Sequence, residues 1–182
     1  MINRTFLLII FLVFLLQNAF ASLQDTIFKK IIDENKGENV IFSPLSLYQV
    51  ISLVLNGAGG KTREEVFKVL FPDKDLDGQL IKDVNSNIEK IITDIESKNN
   101  GQADNKVISN NVNALFHLES ISFKDEFKQI CTQYNTSYFP LESVEQVNNY
   151  VSEHTNGKIT NFIDSISYTP FMIINALYFK GS

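Results

Sequence analysis

Apolar residues recur along the chain at two spacings, and each change of spacing marks a change of element. Leu23, Ile27, Phe28, Ile31 and Ile32 fall at helical intervals and predict an amphipathic first helix ending near Asn35-Lys36-Gly37. The stretch ENVIFSP then reads as a short strand, cut off by Ser43-Pro44. Ser43 is placed to cap the next helix, with Pro44 at its first position, where a missing N–H costs nothing. That helix, Leu45 to Leu55, is apolar nearly all round through Leu47, Tyr48, Val50, Ile51, Leu53 and Val54. A helix with no polar face is buried on most sides and belongs to the centre of a larger body. Asn56-Gly57 ends it. Thr62-Arg63-Glu64-Glu65 has the form of a capping box, opening a short helix through Val66, Phe67, Val69 and Leu70 that closes at Phe71-Pro72.

Farther on, Leu80, Ile81, Val84, Ile88, Ile91, Ile92 and Ile95 make a long one-sided stripe, the mark of a surface helix lying on a core. Residues 97–104 are polar and predict a loop. Val107 to Leu118 reads as a strand, with Ile108, Val112, Ala114 and Phe116 on one face and Asn110 interrupting it. Ser122 is placed to cap a helix that carries Phe123, Phe127, Ile130 and Tyr134 on one side. Thr136 to Leu141 is a short extended segment. Val144, Val147, Tyr150, Val151 and His154 mark a helix stopped by Asn156-Gly157. The strongest strand is Phe171 to Phe179, bounded by Thr169-Pro170 and Lys180-Gly181, and such a run normally has neighbours on both sides. Helices cluster early and separate the strands, which predicts an α+β fold with one sheet.

The first residues stand apart from this pattern. Arg4 precedes an unbroken apolar stretch, Phe6 to Leu16, followed by Ala19-Phe20-Ala21, a small-x-small site. That is the layout of a secretory signal peptide over residues 1–21, leaving 22–182 as one domain or part of one, in the extracellular space. The run is shorter than the ~20 residues a bilayer-spanning helix needs, so no membrane attachment is expected after cleavage. The chain carries a formal net charge of −5 with interleaved acids and bases, and the basic stripe that nucleic-acid binding requires is not there. Cys131 is the single cysteine, so no intrachain disulfide can form and stability must come from burial. Its place in a helical pattern points to a structural thiol. Asn135-Thr136-Ser137 is an acceptor sequence for N-glycosylation, expected on an exposed turn.

Several motifs tempt and fail. Gly59-Gly60-Lys61-Thr62 resembles the end of a phosphate loop, but Leu55 stands where the first glycine belongs and a buried helix precedes it. Asp73 to Gly78 has the opening spacing of a calcium loop, but its twelfth position is Val84, part of the apolar stripe. His117 and His154 share no metal-ligand spacing with Cys, Asp or each other. Lys82, Lys90 and Lys98 are mixed with Asp83, Glu89, Asp94 and Glu96, which describes a solvated face. No constellation supports an enzyme, a metal or a cofactor.

Taken in order, the segments ENVIFSPLSLYQVISLVLNGAGGKTREEVFKVL, VISNNVNALFHLESISFKDEFKQI, VNNYVSEHTNGKITNFI and NALYFKG resemble the N-terminal half of a serpin, the serine protease inhibitor superfamily. FSPLS, TNGKI and NALYFKG in this order carry most of the specificity. Tyr150 departs from the family's usual Trp, and Asn110-Asn111 interrupts a more apolar strand. The resemblance implies a serpin-like fold with part of the large central sheet. It implies that Ser43, Ser46 and Asn175 occupy the shutter beneath the point where that sheet opens. It also implies inhibition of a serine or cysteine protease by a reactive loop that inserts beside the strand 171–179 after cleavage. In the family that loop lies beyond the position of Ser182. These residues alone are therefore expected not to inhibit, and a complementing strand or C-terminal half is an expected partner. The alternative is a secreted binding module that uses the exposed edge of 171–179.

Overall fold

The computed structural model describes residues 27–40, 42–100 and 108–180. The expected signal peptide, the start of the first helix and residues 101–104 of the expected loop lie outside the described residues. The first helix, α1, covers 27–34 and ends in a turn at Gly37, whose φ of +91° suits glycine. It is followed by α2 (Pro44–Gly57), α3 (Gly60–Leu70), α4 (Gly78–Asn100), β1 (Ile108–His117), α5 (Asp125–Gln133), β2 (Thr136–Pro140), α6 (Val144–His154) and β3 (Phe171–Lys180). The three strands form one sheet in the order β2-β1-β3. β1 runs parallel to β2, from Asn113 opposite Thr136 to His117 opposite Pro140. It runs antiparallel to β3, from Ile108 opposite Lys180 to His117 opposite Phe171.

Helix α2 starts as its sequence demands. The Ser43 hydroxyl accepts from the Ser46 N–H at 3.2 Å, and Pro44 sits at the first position. The helix is central: Tyr48, Leu53 and Leu55 meet Phe67, Leu70, Val84, Ile88, Leu115 and Tyr134 in one core cluster. A second cluster fills the other face of the sheet. There Val112, Ala114, Phe116, Ile174 and Ala176 pack on Val147 and Val151 of α6.

Four local expectations need correction. Thr62 does not open α3; the helix starts at Gly60, because Gly59 and Gly60 (φ +53°) turn the chain earlier, and no side chain caps it. Ser122 does not cap α5 either. The residue before that helix is Lys124, whose carbonyl takes the Phe127 and Lys128 N–H groups. ENVIFSP forms no strand within its described residues, and Phe42 instead stacks on Phe28 at 5.9 Å. Finally, residues 97–100 continue α4 instead of beginning a loop. Val112, Ala114 and Phe116 share one face of β1 as expected and point to α6, and with Leu115 pointing to α2 the strand is buried on both faces. Alternation across a strand makes this unavoidable once helices cover both sides.

The other turns form where punctuation residues stand. Asn156 and Gly157 both take positive φ after α6. Asp73 to Gly78 is a surface turn. In it Asp75 pairs with Lys68 at 3.3 Å and Asp77 accepts the Gln79 N–H at 2.8 Å, while Val84 is fully buried in the core.

Candidate conformational site at the sheet–helix junction

The start of α2 lies against the β1–β3 pair, and the side chains that meet there are polar. On β1 the residues facing α2 are Asn111, Asn113 and Leu115, because Leu115 belongs to the α2 core and alternation carries the other two to the same side. Asn175 lies directly opposite Asn113 in the antiparallel register, so both project from that face. Its amide donates to Asn113 Oδ1 at 2.6 Å and to Asn111 Oδ1 at 3.0 Å. From the helix, Ser46 Oγ donates to Asn111 Oδ1 at 3.3 Å, and Asn111 Nδ2 donates to Gln49 Oε1. Ser46 and Gln49 stand three residues apart, hence on one face of α2.

The cluster is deep. Ser46 is 5% exposed, Gln49 fully buried and Asn113 3% exposed. Asn111 and Asn175 are half-buried. The hydrogen bonds of the five side chains to one another offset most of that burial, with Gln49 Nε2 left without a partner among the described residues. All five are neutral, so the cluster is a set of directional hydrogen bonds that joins a helix to two strands. Its chemistry is conformational: if β1 and β3 shift relative to α2, several bonds break together.

Of the residues named from sequence, Ser46 and Asn175 are brought together through the shared acceptor Asn111 Oδ1. Ser43 is not; its hydroxyl is engaged by the Ser46 backbone as a helix cap. The sequence reading missed Gln49, Asn111 and Asn113. A partial signal existed: Asn111 and Asn113 stand two apart on β1, hence on one face, and Asn175 interrupts an apolar strand, so amides in these places need hydrogen-bond partners.

A second polar lock holds the far end of α2. Asn56 and Asn85 exchange amide hydrogen bonds, both at 2.9 Å, and Tyr134 Oη donates to Asn85 Oδ1 at 2.6 Å. Burial raises the Tyr134 phenol well above its ordinary pKa, and burial likewise pushes Tyr48 up to about 12, so both act as neutral groups. Cys131 is buried in the same core, and burial pushes its thiol up to about 11. It is a packed structural thiol, as expected from its helical position.

The remaining candidates are peripheral. His117 at the end of β1 packs edge-on against Phe123, and His154 stacks on Tyr150 at 4.2 Å with Nδ1 against the Tyr150 carbonyl at 2.7 Å. Asn135 is exposed in the turn between α5 and β2, with φ of +50°. β3 lies at the edge of the described sheet, its outer side unpaired among the described residues, in line with the exposed edge expected at 171–179. Phe171, Leu177 and Phe179 along it are exposed.

Comparison with known proteins follows the same architecture. Residues 17–182 match the family model described as Serpin (serine protease inhibitor). Leukocyte elastase inhibitor of Xenopus tropicalis is 31% identical over 166 residues, covering 85% of this chain and 41% of that protein. Serpin B11 of Mus musculus is 29% identical over 177 residues, covering 85% of this chain and 44% of its own length. Among solved structures, thyroxine-binding globulin in complex with thyroxine superposes with a TM-score of 0.70 at 20% identity, over 89% of this chain and 44% of that one. The chain thus spans less than half the length of these relatives.

Proposed function

The chain belongs to the serpin family, and from that premise we propose that it is exported from the cell and supplies the N-terminal half of a protease-inhibitor body. In this reading the target is a serine or cysteine protease, engaged only when a reactive loop and the strand on the far side of the insertion slot complete the sheet. Residues 1–21 act as a cleaved secretory leader, and 22–182 form the scaffold.

One observation carries the proposal. Asn175 sits on β3, the strand beside which the family's cleaved loop inserts, and it is bonded through Asn111 to Ser46 at the head of α2. A sheet that must open needs a latch that is firm when closed and breaks cooperatively. A network of neutral amides and one hydroxyl has that property. The outer edge of β3 pairs with no described strand, which is where an added strand would enter.

The test is incubation with a panel of serine and cysteine proteases, followed by denaturing electrophoresis. The 182-residue chain alone is expected to form no SDS-stable complex, whereas co-expression with a serpin C-terminal half should produce one. A stable complex with the chain alone would overturn the requirement for completion. No complex in either preparation would count against the inhibitor reading.

The exposed Phe171, Leu177 and Phe179 favour a second reading, a non-inhibitory module that captures a strand along β3. Monodisperse, cooperatively unfolding protein that binds an extended peptide without trapping a protease would support it.

A further inference from the structure

The α5–β2 turn carries an unused chemical opportunity. Outside the first 21 residues, Asn135-Thr136-Ser137 is the only place in the chain where Asn is followed two positions later by Ser or Thr. The fold presents this triplet outward. Asn135 and Ser137 are exposed, while Thr136 between them is 5% exposed and turns inward, its hydroxyl donating to the Tyr134 carbonyl at 3.3 Å. Asn135 adopts φ of +50°, a left-handed conformation that asparagine accepts readily, so the turn needs no other residue type there.

The Asn135 amide has two hydrogens. One donates to Glu96 Oε1 at 2.9 Å, and Glu96 is itself exposed on the last turns of α4. The other is free to be replaced without breaking that bond. Asn135 also lines the mouth of a cleft of about 510 Å³ bounded by Leu45, Ile92, Glu96 and Asn111. This cleft lies along the stretch of β1 before Asn113, which β2 leaves unpaired because it begins opposite that residue.

We propose that Asn135 is an N-glycosylation site, with its oligosaccharide standing at the mouth of this cleft. The proposal rests on the export reading above, since the transfer takes place in the secretory pathway. The donor is an oligosaccharide linked to a lipid pyrophosphate. The bond between its anomeric carbon and the phosphate oxygen breaks, a bond forms from that carbon to Asn135 Nδ2, and Nδ2 gives up one proton. The lipid pyrophosphate departs as leaving group, and no oxidant or reductant is needed.

The test uses the full chain expressed from its own leader in a eukaryotic secretory host, and residues 22–182 behind a proven cleavable leader in parallel. Both are treated with peptide-N-glycosidase and mapped by mass spectrometry. The expected result is loss of a single glycan on treatment, with Asn135 converted to Asp, and no shift in Asn135→Gln or Ser137→Ala. Exported protein with an unmodified Asn135 in the second preparation would overturn the proposal. A glycan there, with the first preparation retained inside the cell, would support the site and sink the export reading instead.

Discussion

Ser46 and Asn175 should be energetically coupled, whereas Ser43 and Asn175 should not. Replacing Asn175 with Ala removes donors at 2.6 and 3.0 Å and leaves the buried Asn113 Oδ1 without a partner. An orphaned buried acceptor costs about 1–3 kcal/mol, so Asn175→Ala should lower stability by roughly 2 kcal/mol. Ser46→Ala removes a longer contact, 3.3 Å, and should cost about 1 kcal/mol. In either single variant Asn111 Oδ1 keeps one donor; in the double variant it keeps neither. The double variant should therefore lose more than the sum of the singles, by roughly 0.5–1.5 kcal/mol, as expected for residues that share one partner. Ser43→Ala should cost about 1 kcal/mol as a lost helix cap and add to Asn175→Ala within about 0.5 kcal/mol. Urea unfolding of the three single and two double variants beside the parent chain measures every quantity. Additivity of Ser46 with Asn175, or coupling of Ser43 with Asn175 of equal size, would refute the account of the cluster.

Phe67 is fully buried against Phe71 and the α2 core, so Phe67→Ala should cost about 3–5 kcal/mol and shift the urea midpoint accordingly. At Gly57 an added Cβ would meet the Phe127 ring at 3.0 Å, so Gly57→Ala should destabilise by about 1–3 kcal/mol despite the better helix propensity of Ala; a gain in stability would show that the ring yields freely. Cys131 should resist iodoacetamide in the native chain at pH 8 and react fully once urea unfolds it. The same raised thiol pKa sets a pH effect. Below the unfolded value near 9 both states hold the proton; between there and about 11 only the folded state does, so rising pH drains stability across that window. Cys131→Ala should flatten that part of a stability-versus-pH profile, and an unchanged slope would reject the assignment.

Most elements were readable because their signals are local. The stripe from Leu80 to Ile95, the Ser43-Pro44 cap and the Asn156-Gly157 stop each depend on residues within a turn or two of one another. The errors were local signals outweighed by their surroundings. Thr62 and Ser122 have capping chemistry, but Gly60 turns the chain before the first and α5 starts beyond the second. ENVIFSP has strand character, yet a strand exists only with a partner, and partnership is not a local property.

The candidate site divides in the same way. Ser46 and Asn175 were reachable through a resemblance that spans nearly the whole chain, and their residue types alone required buried partners. That Asn111 is the shared acceptor was not legible. Its neighbour Asn110 is one residue away, and only the antiparallel register, with Asn113 opposite Asn175, decides which asparagine faces α2. A shift of one residue would send Asn110 and Val112 to that face, leaving β1 one amide there instead of two. Sequence by itself determined most of the helices and strands, the faces they bury and what family they resemble. Tertiary structure decided which polar groups meet, because hydrogen bonds across 62 to 65 residues of chain depend on strand register and helix placement, which no local pattern encodes.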